Sequence, residues 1–311
     1  MHVILQRARQ HSRGRFLTGA ALNFVGATLL LSTFAGLPSM AAQRADADAL
    51  ITGSLPPKTT DIPYEIRIEV TSPGKEGIEL AGRLSEDGGL ITRPINWKLL
   101  RTLGEGSQGG KLVHDSTTPI ADIALEPGNY RIEAEYGSVS FTKSIKLLES
   151  QHLGLTFVFN VGGLRTLSTI GKEPLPGEAR VIHKAYAING INSGQLIATS
   201  DVQGGLIRLG AGKYRLESEI EPGNTVVQTD VTITPGILTT LQLDHQAGMA
   251  EVDAPSDVVW TVTSDDREWR ASGKGQQVLT LAPGKYTYEG GNKTRTLIIA
   301  AGSRTKVRGN D

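Results

Sequence analysis

The chain has no cysteine. That absence excludes disulfides, a thiol nucleophile, cysteine-ligated metal and a lipid-modified cysteine at the N-terminus. Aromatic residues are scarce, 5 % of 311 positions with three Trp, so few places can anchor a core or form a stacking platform. Net charge is also missing, because 32 Lys and Arg balance 32 Asp and Glu. The balance is uneven along the chain. Arg7, Arg9, Arg13 and Arg15 stand in residues 1–41 without an acid, which leaves the remainder mildly acidic. A body of that charge does not suggest a nucleic-acid partner. After residue 60 no stretch keeps a 3.6-residue apolar period, so long amphipathic helices are not expected there.

Glycine is plentiful, 37 residues, and one glycine-centred stretch occurs three times. It reads Leu125-Glu-Pro-Gly-Asn-Tyr130, Leu209-Gly-Ala-Gly-Lys-Tyr214 and Leu281-Ala-Pro-Gly-Lys-Tyr286. The shared pattern is Leu-x-x-Gly-x-Tyr, with Leu125, Gly128 and Tyr130, then Leu209, Gly212 and Tyr214, then Leu281, Gly284 and Tyr286. Pro-Gly predicts a type II turn with Gly at positive φ. Each copy then reads as strand, tight turn and strand, with Leu and Tyr on one core. The spacing from Gly128 to Gly212 and from Gly212 to Gly284 suits one small sandwich per copy.

The N-terminus has the layout of a signal peptide. A basic region runs to Arg15, an apolar stretch runs from Phe16 to Leu37, and Ser39-Met40-Ala41 places small residues before a cleavage point after Ala41. The apolar stretch is nearly long enough to span a bilayer, so an uncleaved membrane anchor is the alternative. Residues 42–62 are small, polar and Pro-containing, and read as a disordered tether. Asp46 and Asp48 lack the Gly and terminal Glu of a calcium loop.

Along the body, Tyr64 to Val70 alternates strictly, with Ile66, Ile68 and Val70 expected on the buried face and the charged residues in water. Trp97 is expected to anchor the first core, and Lys143 interrupts an apolar face in a way that suits a sheet edge. Leu155 to Phe159 is read as the strand that opens the second module. Counting back 31 residues from the motif Gly reaches Trp97 in the first module and Val181 in the second. Trp260 stands in the corresponding strand of the third. Linkers are placed at Glu149–His152 and Asp244–Gly248, short enough to favour a semi-rigid row of domains.

The Leu-x-Pro-Gly-x-Tyr stretch resembles the tyrosine corner of immunoglobulin-like sandwiches, in which the hydroxyl ties back to nearby backbone. It equally resembles prealbumin-like and carboxypeptidase-regulatory-like modules. On Trp97-Lys-Leu, the three motif copies, Tyr136-Gly-Ser-Val and Val161-Gly-Gly-Leu-Arg165, the chain over about residues 62–308 resembles exported Gram-negative proteins built from such repeats. The resemblance implies no catalytic residues. Ala211 departs from it where the other copies carry Pro. The expected fold class is therefore all-β: three tandem immunoglobulin-like β-sandwich modules at 63–149, 150–246 and 247–311, after an N-terminal signal helix.

Candidate chemistry is thin. Gly104-Glu-Gly106-Ser-Gln-Gly109 spells G-x-G-x-x-G, but strand-like sequence follows it where a dinucleotide site needs a helix. His114-Asp115-Ser116 names three triad residue types that adjacent positions of a strand point to opposite faces. His152, His183 and His245 lack metal-ligand spacing and are expected to be solvated or capping. Asp265-Asp266-Arg267-Glu268 with Trp269 reads as a charged hairpin tip carrying the most exposed of the three Trp, and is the candidate partner-binding site. No cofactor, metal or catalytic residue is expected. The expected function is a non-enzymatic exported element of the cell envelope that serves as binding module, adaptor or spacer. It would lie in the periplasm or be secreted, or be held to the inner membrane by an uncleaved N-terminal segment, and its partner would be an envelope protein or polysaccharide. A carbohydrate- or peptidoglycan-binding protein, and at the far end an envelope hydrolase, are the alternatives.

Overall fold

Alternation builds the strands. From Gly128 to Tyr136 the side chains of Tyr130, Ile132, Ala134 and Tyr136 are buried and those between them are not, the period of a sheet with one face on a core. The computed structural model describes residues 62–104, 109–177 and 179–308, and among these every regular element is a strand. The signal segment, the tether up to residue 61 and Glu105 to Gln108 of the glycine run lie outside the described residues.

The first sandwich holds β1 (Tyr64–Val70), β2 (Gly77–Arg83), β3 (Ile95–Thr102), β4 (Lys111–Thr118), β5 (Ala121–Ala124), β6 (Gly128–Tyr136), β7 (Val139–Leu147) and β8 (Gln151–Val158). Sheet β1-β8-β2-β5 packs on sheet β4-β3-β6-β7. The second holds β9 (Val161–Ile170), β10 (Glu173–Pro174), β11 (Arg180–Ala187), β12 (Leu196–Ser200), β13 (Leu206–Gly210), β14 (Gly212–Glu221), β15 (Thr225–Ile233) and β16 (Leu238–His245). The third holds β17 (Gly248–Asp253), β18 (Val259–Ser264), β19 (Arg270–Lys274), β20 (Gln277–Leu281), β21 (Gly284–Gly290), β22 (Lys293–Ile299) and β23 (Arg304–Arg308).

All three share one seven-strand frame. The first strand (β2, β9, β17) pairs antiparallel with the fourth and parallel with the seventh. The second strand (β3, β11, β18) lies between the third and fifth, and the sixth lies outside the fifth. A constant-type immunoglobulin domain instead groups strands one, two, five and four against three, six and seven. Two strands are extra to the frame, β1 beside β8 and β10 beside β9.

Several expectations change. The stretch Leu155 to Phe159 does not open the second module. Up to Val158 it lies in β8, which pairs parallel with β2 and closes the first sandwich. The segment Glu149–His152 is accordingly the β7–β8 connection inside that sandwich, and the true linkers are two residues each, Phe159-Asn160 and Gln246-Ala247. Both are anchored: Phe159 and Ala247 are buried, Ala211 N–H bonds Asn160 O at 2.7 Å, and Gly302 N–H bonds Ala247 O at 2.7 Å. In β1 the alternation is real but its apolar row is exposed, Ile66 at 51 % and Ile68 at 56 %, because β1 is the outermost strand of its sheet. Lys143 does sit on an edge strand, β7, with its ammonium 4.5 Å above the Tyr64 ring.

The repeated motif is not a tight hairpin turn. The strand before it and the strand after it belong to opposite sheets, so each copy carries the chain across the core. Gly128 and Gly284 do not have positive φ, and Gly212 lies at 157° near extended backbone. What holds the crossing is the tyrosine. Tyr130 Oη donates to Glu126 O at 2.6 Å, Tyr214 Oη to Gly210 O at 2.9 Å and Tyr286 Oη to Ala282 O at 2.8 Å. Each bond joins the third residue of the strand after the crossing to a carbonyl four residues back, with the ring buried. Tyr130→Phe or Tyr214→Phe should lower stability by about 1–2 kcal/mol through loss of that bond. Thermal melts unchanged for both variants would remove the corner from the list of stabilising features.

Candidate functional site

Two junctions and one buried layer carry the unusual chemistry. At each junction the hairpin between strands five and six of one sandwich sits on strand four of the next, beside its corner. The β6–β7 hairpin meets β13: Ser138 N–H bonds Arg208 O at 3.0 Å, Gly210 N–H bonds Ser138 Oγ at 3.0 Å, and the Arg208 guanidinium bonds Tyr136 Oη at 3.1 Å while lying over its ring. Gly137 has φ 62°, and a Cβ there would come within 2.4 Å of Arg208 Cβ, so the turn needs glycine twice over. The β14–β15 hairpin meets β20 in the same way. Thr280 N–H bonds Pro222 O at 2.9 Å and Asn224 N–H bonds Thr280 O at 3.2 Å. The Asn224 amide then caps the third corner, accepting from Ala282 N–H and donating to Tyr286 Oη, both at 2.9 Å. A Cβ on Gly223 would stand 1.9 Å from Thr280 O.

Beside the first junction an open groove of about 550 Å³ runs along the second corner. Its polar side chains include Ser138, Asn189, Asn192, Lys213 and Tyr214, and Ile191 is an exposed apolar one. These groups can hold a ligand by hydrogen bonds and one cation. They contain no acid–base pair.

The buried layer lies in the second sandwich. Trp97 pairs with Ala134, Trp260 with Gly290 and His183 with Ser218, in each case four residues beyond the corner Tyr. His183, not Val181, therefore occupies the position of the two core tryptophans. Phe159 and His245 correspond likewise, four residues after the partners of Leu80 and Thr166. Where the first sandwich packs Phe159 edge-on against Trp97, the second buries two imidazoles. Thr166, Ser168, Ser200, Ser218 and Thr225 are buried around them, and this polar layer separates two apolar clusters.

Both histidines are fully buried, which overturns their expected solvated or capping role. His245 is satisfied: Nε2 bonds Ser218 Oγ at 3.0 Å and Nδ1 bonds Thr225 Oγ1 at 3.2 Å, and Ser218 passes the chain to Ser168 at 3.0 Å. Gln203 closes it by bonding the Ser168 backbone in both directions. Neither ring nitrogen of His183 completes a hydrogen bond. Burial pushes both imidazoles down to about 4; the Gln203 amide slightly opposes this at His183, while at His245 the neighbouring His183 adds to it and Asp244 opposes it. Both are neutral at pH 7.

The charged tip is a β18–β19 hairpin, as its sequence suggests, but both of its aspartates are engaged. Asp266 accepts from Ser264 Oγ and, at 3.0 Å, from Glu268 N–H. Asp265 lies 3.5 Å from Lys285 Nζ, and Arg267 takes φ 61° to make the turn. Trp269 is half-buried, packed on the third core with its ring edge-on to Tyr286 at 6.2 Å. It is the most exposed of the three Trp, as expected, but its packing leaves it no free-standing ring. The contact with Tyr286, whose hydroxyl meets Asn224, also puts the tip at the junction end of its sandwich and not at a free end.

The other motifs stay apart. The glycine run leads into strand β4, not a helix. His114 Nε2 bonds Ser116 Oγ at 2.8 Å on one face of β4, so no relay with Asp115 forms. His152 pairs with Asp122 at 3.0 Å on the surface. Among the described residues no group of three or more His, Asp or Glu is placed to hold a metal, and no helix is long and apolar enough to cross a membrane.

No family model matches the chain, and no curated protein does. Among solved structures it is similar to the Bacillus anthracis TIE protein at 14 % identity and a TM-score of 0.25, covering 81 % of this chain and 58 % of that one. It is similar to a minor pilin of Streptococcus agalactiae at 15 % identity and a TM-score of 0.31, covering 55 % of this chain and 95 % of the pilin. A streptococcal ancillary pilin matches at 13 % identity and a TM-score of 0.27, covering 78 % and 98 %. The chain thus spans little more than half of the first of these proteins. The assignment of three sandwiches rests on the strand pairing within the chain itself.

Proposed function

We propose that the protein is a non-enzymatic spacer or adaptor of a Gram-negative cell envelope, exported through its N-terminal segment to the periplasm or beyond. The observation that carries this reading is the repeated junction. A two-residue anchored linker and a docked hairpin recur at both boundaries, so neighbouring sandwiches are tied at two points each. Domains joined by one flexible linker move by default; a second, backbone-bonded contact suits a part that holds two things at a fixed separation. The basic, then apolar, then small-residue N-terminus supports export. The carbohydrate alternative draws no support from the tryptophans, since Trp97 and Trp260 are core residues and Trp269 packs on Tyr286.

The location is tested by adding protease to spheroplasts that express the tagged full chain. Digestion of residues beyond 62 in intact spheroplasts, or their release to the medium, is the expected result. Full protection with the tag in the cytoplasm would overturn the proposal.

A further inference from the structure

Strand β1 is an open edge with an unusual surface. Its seven residues read Tyr-Glu-Ile-Arg-Ile-Glu-Val, and all are exposed. It pairs on one side only, with β8. The direction of its free hydrogen-bonding groups can be worked out. Thr71 N–H bonds Ser150 O and Val158 N–H bonds Pro63 O, so odd-numbered residues face β8. In an antiparallel ladder the alternate residues face away. The outward N–H and C=O groups therefore belong to Tyr64, Ile66, Ile68 and Val70. The same four side chains form the exposed apolar row, with Val70 89 % exposed. Natural edges are blunted by charged side chains, above all lysine, or by proline or a bulge; β1 has no lysine, proline or bulge, and its three charges alternate in sign. Glu65, Arg67 and Glu69 alternate on its other face, held only in exposed ion pairs such as Arg67–Glu69 at 3.2 Å and Glu65–Arg83 at 3.5 Å.

We propose that β1 is a dimerisation strand, pairing antiparallel with β1 of a second copy about a two-fold axis through Ile66. The charge pattern selects both the partner and the register. Centred on Ile66, the pairing sets Glu65 against the partner's Arg67 twice, Tyr64 against the partner's Ile68, and Ile62 against the partner's Val70. Every outward backbone group from Tyr64 to Ile68 meets one from the partner. Centred on Arg67, it would set Arg67 against Arg67 and Glu65 against Glu69, which like charges oppose. Centred on Ile68, it keeps Arg67–Glu69 pairs but sets Tyr64 against Ser72, so the apolar row is matched less completely. A two-fold contact of this kind is self-complementary and closes at two copies, and strand addition draws its affinity from main-chain bonds.

Sedimentation velocity on the unit Ala45–Asp311, which holds every described strand and core, tests the proposal. The parent is expected to dimerise. Arg67→Glu alone places Glu opposite Glu, and Glu65→Arg alone places Arg opposite Arg; each should weaken the dimer at least tenfold. An equimolar mixture of the two variants restores both Glu–Arg pairs and should give a heterodimer near parental affinity. Both side chains are exposed, so the circular dichroism spectrum should stay parental in either variant, and melting should lose only the concentration-dependent part that the dimer adds. A parent that stays monomeric up to millimolar concentration overturns the proposal, as would follow if residues 45–61 or a strand of another protein covered the edge. A dimer indifferent to both variants, or singles that fail to complement, overturns it as well.

Discussion

Lowering the pH from 7 to 4 is expected to destabilise the second sandwich selectively. His183 and His245 have folded-state pKa values of about 4, depressed by burial, against about 6.5 in an unfolded chain. Between those two values the unfolded state binds more protons, so stability falls as pH falls. The stabilisation is fully present above pH 6.5, is lost progressively below it, and is gone below about pH 4. A difference of that size corresponds to on the order of 3 kcal/mol per histidine, comparable with a large part of a small domain's total stability. The first and third sandwiches have tryptophan at the equivalent position and no buried histidine, so they should not share this dependence. Hydrogen exchange resolved by peptide, with rates corrected for pH, should show opening of β11 and β14 at pH 4.5 while β3 and β6 stay protected. Equal loss in all three sandwiches would show that the imidazoles do not control it. His183→Leu should shrink the pH-dependent part by roughly half.

The converse exchange should be costly. Trp97→His puts an imidazole into a core with no hydroxyls arranged to receive it. Trp97 packs against Phe157 and Phe159 and bonds Thr118 O at 3.1 Å through its indole N–H. The variant loses most of that apolar burial, leaves a cavity beside two rings and buries a polar ring without partners. The sum is expected to be about 3–5 kcal/mol, enough to unfold the first sandwich in mild denaturant while the third keeps its Trp260 emission. A loss under about 1 kcal/mol would mean that the core tolerates a histidine without the polar layer.

How much of this was legible depends on the range of the interaction. The strands around each motif are set by alternation, and Tyr130, Tyr214 and Tyr286 share a local bond four residues long, so the repeat could be read directly. The partner of β8 could not. It joins β2 from more than seventy residues away, and its apolar run would suit either sandwich. The exposure of β1 is not legible, because period 2 says which residues share a face, not whether anything covers it. The position of His183 is hidden for a related reason. A shift of two residues keeps the same face inward, so Val181 and His183 both fit the pattern; only the pairing of His183 with Ser218 decides. A signal was present in the alternation of Val181, His183 and Ala185, and of Leu241, Leu243 and His245, which set both histidines on inward faces. For the candidate site, the sequence brought Asp265 to Trp269 together correctly but could not show that Trp269 would meet Tyr286 across the sandwich.

The fixed junction is the centre of the spacer reading, and the missing cysteines make it directly measurable, since introduced cysteines will be the only sites for spin labels. Exposed positions on the sixth strands, Ser144, Thr232 and Thr296, can be changed to Cys in pairs and their separations read by double electron–electron resonance. A single narrow distance distribution for Ser144–Thr232 and for Thr232–Thr296 is expected. Gly137→Val should broaden the first only, and Gly223→Ala the second only, because each lodges a side chain against the strand its hairpin sits on. Broad distributions in the parent chain, unchanged by either variant, would contradict the proposed spacer.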